Sequence, residues 1–213
     1  MALNERIICW DFEGIGKHPI QVGVAELYQD KVQPLYFSNI CTPKDLAIPS
    51  FLPAAKLNRR ELENAPHLWE LWPQLSQFWK CSSFVSHNLG TERKYLHAFP
   101  LHTPPGWIDT LKVYRFAYPD LPCYNLGELL HWTKLHQRAL DLSCAFKNGE
   151  ASEHDPVFDA CGALLLLQHL LAMPGWETAS VNDLQAVKPT KYYQRLAKKA
   201  SLNKLKQCGH LLR

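Results

Sequence analysis

The sequence reads as an α/β chain whose sheet is mixed: an antiparallel meander of three strands, extended by parallel crossovers into five strands flanked by helices. Three observations lead there. Strand-like runs at 6–10, 20–27 and 32–40 follow one another through short links. Two further short apolar runs, at 82–86 and 107–108, are each followed by helical periodicity. A long apolar helical segment, 155–173, comes after them.

Arg6-Ile7-Ile8-Cys9-Trp10 is apolar, β-branched and aromatic, and is stopped by glycines at 14 and 16, which makes it a buried strand. Gln29-Asp30-Lys31 makes the short link between the next two strands. Pro43, Pro49 and Pro53 mark 41–53 as a loop. Leu68, Leu71, Trp72, Leu75, Phe78 and Trp79 then recur at helical spacing behind Asn64-Ala65-Pro66, a start signal. Ser82 to Ser86 is a short strand ending at His87-Asn88, and Thr91 to Phe99 a helix stopped by Pro100. Trp107-Ile108 is followed by Asp109 or Thr110 as a helix cap, and Tyr124 to Leu135 is amphipathic. Pro174-Gly175 ends the long helix. The predicted order is β-β-β-α-β-α-β-α-α, with a main domain over 1–175 and an extension over 176–213.

At 213 residues, 46% of them hydrophobic and 20% charged, the chain can bury a sizeable core and is not of disordered composition. Met1-Ala2-Leu3-Asn4-Glu5-Arg6 lacks the basic-then-apolar opening of a secretory leader, and the longest apolar stretch is too short for a bilayer, so no membrane association is expected. Seven scattered cysteines without a Cys-x-x-Cys pair argue against a disulfide framework or a zinc knuckle, and point to a reducing cytoplasmic setting. The net charge of +3 conceals an asymmetry. Of 23 basic residues, eight lie in 184–213, which has no acidic residue; the other 15 face all 20 acids, a balance of −5 over 1–183. The basic extension is either a handle for a polyanion or a solvated helix face.

The chemistry centres on Asp11 and Glu13. Residues i and i+2 of a strand share a face, so both carboxylates leave the end of an apolar strand on one side. They are either solvated acids at an exposed strand end or oxygen ligands suited to Mg²⁺ or Mn²⁺. Two later acids, Glu92 and Asp159, stand in the first turn of predicted helices. Such acids ordinarily complement a helix dipole, but four beside strand ends and helix starts invite a common site.

Three segments resemble the motifs of the DEDDh 3′–5′ exonucleases, which include the DNA polymerase III proofreading subunit, RNase T and oligoribonuclease. Asp11-Phe12-Glu13-Gly14-Ile15-Gly16, followed by Ile20-Gln21-Val22-Gly23, resembles the Asp-x-Glu motif and its next strand. Ser86-His87-Asn88-Leu89-Gly90-Thr91-Glu92 resembles the His-Asn-x-x-Phe-Asp segment, and His154-Asp155-Pro156-Val157-Phe158-Asp159-Ala160 matches His-x4-Asp-Ala. The likeness runs from residue 5 to about 173, in family order. It implies a ribonuclease H-like fold and hydrolysis of phosphodiester bonds at 3′ ends, releasing nucleoside monophosphates. It also implies two divalent ions, with Asp11 bridging them, Glu13 and Asp159 completing the first site and Glu92 serving the second. His154 becomes the general base for the attacking water, with an ordinary pKa of about 6.5 that suits the task. Phe12, Gly14, Ile15 and His87 become substrate contacts.

Two departures stand out. Glu92 occupies a position where the family has Asp, and Gly14-Ile15 replaces the usual threonines. Glu92 sustains a competing reading, a catalytically weakened member acting as a nucleic-acid-binding or polymerase-partner module. An internal-cutting nuclease on the same fold is a third. The partners implied are single-stranded nucleic acid or 3′ ends, with a homodimer or polymerase partner also compatible. The extension can contribute Tyr192, Tyr193, Lys188, Lys191, Arg195, Lys198, Lys199, Lys204 and Lys206 to bases and phosphates, or pack Leu196, Ala200, Leu205, Leu211 and Leu212 onto the body.

Overall fold

The computed structural model describes residues 5–50, 52–99 and 103–210, with backbone alone at 53 and 204–210. Strands β1 (Ile7–Ile15), β2 (His18–Tyr28) and β3 (Lys31–Asn39) lead into short helices α1 (Arg59–Glu63) and α2 (Trp72–Leu75). Then come β4 (Ser83–Ser86), α3 (Gly90–Leu96), β5 (Trp107–Asp109) and α4 (Thr110–Ala117). Helices α5 (Leu126–Trp132), α6 (His136–Lys147), α7 (Pro156–Leu171), α8 (Val181–Gln185) and α9 (Thr190–His210) complete the chain. The sheet order is β3-β2-β1-β4-β5, antiparallel across β3-β2-β1 and parallel across β1-β4-β5, the arrangement expected from the sequence.

The β2–β3 link is two residues, Gln29 and Asp30, both at positive φ (50° and 59°), which matches the hand of strand twist in a hairpin. Pro34 lies in β3, an edge strand, where a missing N–H costs little. Alternation along β1 divides the core in two. Ile7 and Cys9 face the cluster built on α7, together with Ala25, Val157, Phe158 and Cys161. Ile8, Trp10 and Phe12 face an aromatic cluster of Phe78, Phe84, Tyr95 and Phe99. Trp10 is fully buried, with the rings of Phe78, Trp79 and Phe84 edge-on at 5.9, 5.2 and 5.4 Å. Such pairs add about 0.5–1.5 kcal/mol each beyond the area they bury.

Three features differ from the sequence expectation. The helical periodicity over 68–79 is realised as 3₁₀ turns at Leu68–Leu71 and Ser76–Trp79 around the four-residue α2, because Pro73 withdraws a backbone donor and restarts the helix. Leu68, Leu71, Leu75 and Phe78 still point inward, since a three-residue period serves a 3₁₀ turn as well. Helix α6 had no counterpart in the expected order; it buries only Ala139 and Ser143, so its sequence lacks a strong apolar stripe. Beyond residue 175, Val181 and Leu184 of α8 also join the α7 core, a packing not foreseen for the first part of the extension.

Helix and sheet approach closely at Gly23. A Cβ there would overlap the backbone of Pro156 and stand 2.6 Å from the Val157 nitrogen, so only glycine lets the start of α7 lie against β2. Gly23→Ala should therefore force α7 off the sheet and lower stability by roughly 1–3 kcal/mol, read as a lower urea midpoint at unchanged slope. A midpoint equal to that of the parent would show that the two layers have slack.

Candidate active site

Strand β1 outruns its parallel neighbour. Pairing with β4 ends at Cys9↔Val85, whereas pairing with β2 continues to Ile15↔His18. Residues 11–15 thus have a strand on one side only, and the vacated side is where the chain leaves β4 and enters α3. Asp11 and Glu13 continue the α7-facing side of Ile7 and Cys9, as the two-residue period requires. Asn88, at φ 76°, reverses the chain after β4, and its N–H donates to Asp109 Oδ1 at 3.2 Å. The same carboxylate oxygen caps α4 by accepting from the Lys112 N–H, so Asp109 is a structural cap, as its position before the helix suggested. The turn delivers Glu92, 4% exposed, in the first turn of α3.

Helix α7 brings the fourth acid. Asp155 caps it by accepting from the Val157 N–H at 3.0 Å, and Pro156 occupies the first turn, where its missing N–H is tolerated. One turn on, Asp159 donates its N–H to the Asp155 carbonyl at 2.9 Å. Asp155 is itself buried and ion-paired with Lys147 of α6. Because Gly23 pairs with Asp11 in register and lies under Pro156, the same close contact sets Asp159 beside Asp11. His154, just before α7 at φ 63°, places Nδ1 3.7 Å from Glu13 Oε1. Glu13, His154 and Asp159 offer ligand atoms that all lie within 4.8 Å of one another.

The electrostatics record the convergence. Burial first, then Asp159, Glu92 and Glu13, hold the Asp11 carboxyl well above the usual range. Burial raises Glu13 to about 8, with Glu92 and Asp155 adding to it. Glu92 is raised to about 7 by burial, against the opposing pull of its own backbone amide, the Ser86 hydroxyl and the Phe12 amide. Asp159 is held high by burial, Glu13, Asp155 and Glu153. Asp11 Oδ2 and Glu92 Oε2 are buried with no hydrogen-bond partner among the described residues. Four hard oxygen donors, mutually repulsive and partly orphaned, fit divalent cations of the Mg²⁺ or Mn²⁺ kind.

The expected substrate contacts divide. Phe12 is a core residue, 4% exposed and packed between Trp10 and Tyr95, so it offers no ring to a ligand. His87 has both ring nitrogens engaged inside the fold, at the Thr110 hydroxyl (2.9 Å) and the Tyr124 carbonyl (2.8 Å), and burial lowers its pKa. Its role is to tie β4 to α4 and the loop before α5. Gly14 and Ile15 are half-buried at the end of β1. In the extension, Tyr192 packs edge-on against Tyr124, and Arg195 pairs with Asp120 at 2.5 Å, docking α9. Leu196 and Ala200 are exposed rather than packed, as are Lys188, Lys191, Tyr193, Lys198 and Lys199. The side chains of Lys204, Leu205 and Lys206, and residues Leu211 and Leu212, lie outside the described residues.

Two contributors had not been given roles from the sequence. Asp155 was legible as an Asp-Pro cap signal. Tyr95, whose hydroxyl donates toward the Gly16 and His18 carbonyls at 3.2 and 3.3 Å, carried no signal beyond a helix-face aromatic.

Raised carboxyl pKa values mean that the folded chain binds more protons than the unfolded one, so stability falls as pH rises. For Glu92 and Glu13 the gain is complete below about 4.5 and is lost as pH passes about 7 and about 8, respectively. With cations chelated, the urea midpoint should therefore drop between pH 6 and 9; saturating Mg²⁺ or Mn²⁺ should flatten that dependence, with proton release on binding. A chelated protein of constant midpoint over that window would contradict the cluster.

No family model matches the chain. The 3′-5′ exonuclease DinG of Staphylococcus haemolyticus (strain JCSC1435) is 32% identical over 116 residues, covering 52% of this chain and 13% of that protein. That of Staphylococcus aureus (strain USA300) is 29% identical over 125 residues, covering 56% of this chain and again 13% of the relative. The match thus spans a small part of those longer proteins. In fold, Exonuclease X in complex with 5′ overhanging duplex DNA superposes with a TM-score of 0.62 at 18% identity, over 85% of this chain and 98% of that one. A 3′-exonuclease in specific recognition of the 3′ end of a histone mRNA stem-loop gives 0.57 at 12% identity, over 86% and 66%. The five-stranded mixed sheet is thus the fold of these exonuclease structures, and over about half its length the chain resembles a segment of the longer 3′-5′ exonuclease DinG proteins.

Proposed function

We propose that the chain hydrolyses phosphodiester bonds at the 3′ end of DNA or RNA, releasing nucleoside monophosphates, with two divalent cations held by Asp11, Glu13, Glu92 and Asp159. The observation that carries this reading is the meeting of four carboxylates, Glu92 buried and Asp11, Glu13 and Asp159 partly buried, two of them with orphaned oxygens, beside the exposed imidazole of His154. Bound cations would supply Lewis-acid polarisation of the phosphate and a more acidic attacking water. The chain's own share is positional and acid–base. His154, held before α7 with Nδ1 3.7 Å from Glu13 Oε1, accepts the proton of the attacking water. Burial of the acids excludes bulk water from the reacting phosphate and strengthens every charge interaction there.

Glu92 supports activity rather than opposing it. Its longer side chain is turned inward and its carboxylate stands close enough to raise the pKa of Asp11 and Glu13. The half-buried backbone at Gly14 and Ile15 is the surface proposed for the terminal nucleotide. A nucleic-acid partner is further supported by the DNA and RNA bound to the two structural neighbours.

The test is release of mononucleotides from 3′-labelled single-stranded DNA and RNA in Mg²⁺ or Mn²⁺. Asp11→Ala should abolish it, and His154→Ala should lower kcat by ~10²–10⁴ with substrate binding retained. Glu92→Asp should keep turnover within an order of magnitude, whereas Glu92→Ala should not. Binding without turnover in either metal would favour the weakened-member reading, and oligomeric products the internal-cutting one.

A further inference from the structure

Beside the acidic cluster, a second group of side chains meets in a cleft of about 340 Å³ bounded by Asn125, Gly127, His131, Glu153, His154 and Asp159. His131 is in the last turn of α5 and His136 opens α6; Lys134 between them, at φ 60°, turns the chain so that both rings come to one side. The rings lie nearly parallel, 4.1 Å apart, and both Nε2 atoms lie near one carboxylate oxygen, Glu153 Oε1, at 3.7 and 3.4 Å. Glu153 reaches them because α5 has glycine at 127: a Cβ there would stand 2.7 Å from the same Oε1. The three ligand atoms fall within 4.8 Å of one another.

We propose that His131, His136 and Glu153 form a transition-metal site of the zinc class, separate from the carboxylate cluster, that pins the segment leading into His154. Two imidazoles and one carboxylate are a borderline-soft donor set, suited to Zn²⁺, Co²⁺ or Ni²⁺ and poorly suited to Mg²⁺. Metal–ligand bonds of about 2.0–2.1 Å in tetrahedral geometry set ligand–ligand edges at about 3.3–3.4 Å. The observed separations of 3.4 and 3.7 Å are close to these edges, and rotations of the stacked rings aim both in-plane Nε2 lone pairs at the ion. His131 and Glu153 have the surface freedom for them, with side chains 61% and 49% exposed. Three protein ligands leave a fourth position open, for water or an anionic ligand from the cleft. Glu153 is joined directly to His154, so an ion fixed here ties the general base to α5 and α6.

Co²⁺ reports this directly, because tetrahedral coordination with nitrogen donors gives an intense visible d–d band, whereas octahedral oxygen coordination gives only weak absorption. With the full-length chain in excess Mg²⁺, one equivalent of Co²⁺ should produce the band, and one equivalent of Zn²⁺ should bleach it. The band should persist in Asp11→Asn, which disables the carboxylate cluster, and vanish in His131→Ala/His136→Ala. Glu153→Gln should weaken Co²⁺ binding at least tenfold. Circular dichroism spectra matching the parent would certify the variants as folded. No band in the parent, or a band that survives loss of both histidines, overturns the proposal; a band lost only in Asp11→Asn assigns the ion to the carboxylate cluster and overturns it equally. None of these readings depends on nuclease activity.

Discussion

The close contact between α7 and β2 is the constraint from which the site follows. Gly23 lies under Pro156 and pairs with Asp11, so a single register position sets both the thickness of the α7 layer and the distance between the first and last acids. Four carboxylates at the edge of an apolar core repel one another. The surrounding frame has to hold them. On one side of the sheet this is the aromatic packing around Trp10, and on the other the capped start of α7 with Asp155 anchored to Lys147. Unfavourable charge placement of this kind is what the proposed cation site calls for.

Much of this was legible in the sequence. Alternation at Ile7, Cys9, Asp11 and Glu13 dictates one shared face, and turn residues fix the meander. The three motifs then named the acids that meet. The sequence did not reveal that β1 runs on past β4, because strand ends are decided by the length of the neighbour rather than by the strand's own residues. For that reason the acids, expected at the tip of a short strand, lie within a nine-residue one.

Side-chain assignments were harder than placement. Phe12 and His87 sit inside segments that carry chemistry, yet both serve the frame: Phe12 follows the opposite face of β1 from the acids, and His87 ends a strand whose neighbours already supply it with partners. Periodicity could have separated Phe12 from Asp11 and Glu13, since adjacent strand residues point apart. No local signal distinguishes His87, whose partners lie 23 and 37 residues away. Helix α6 escaped notice for the related reason that its support comes from neighbours and not from its own apolar stripe.

Helix α3 is attached to the site at two points. It presents Glu92 inward, while Tyr95 and Lys94, one turn farther along, grip the Gly16 carbonyl at the tip of the β1–β2 hairpin. The hairpin and the acid are thereby mounted on one short rigid rod. A displacement of the hairpin tip would therefore be carried to Glu92 through α3.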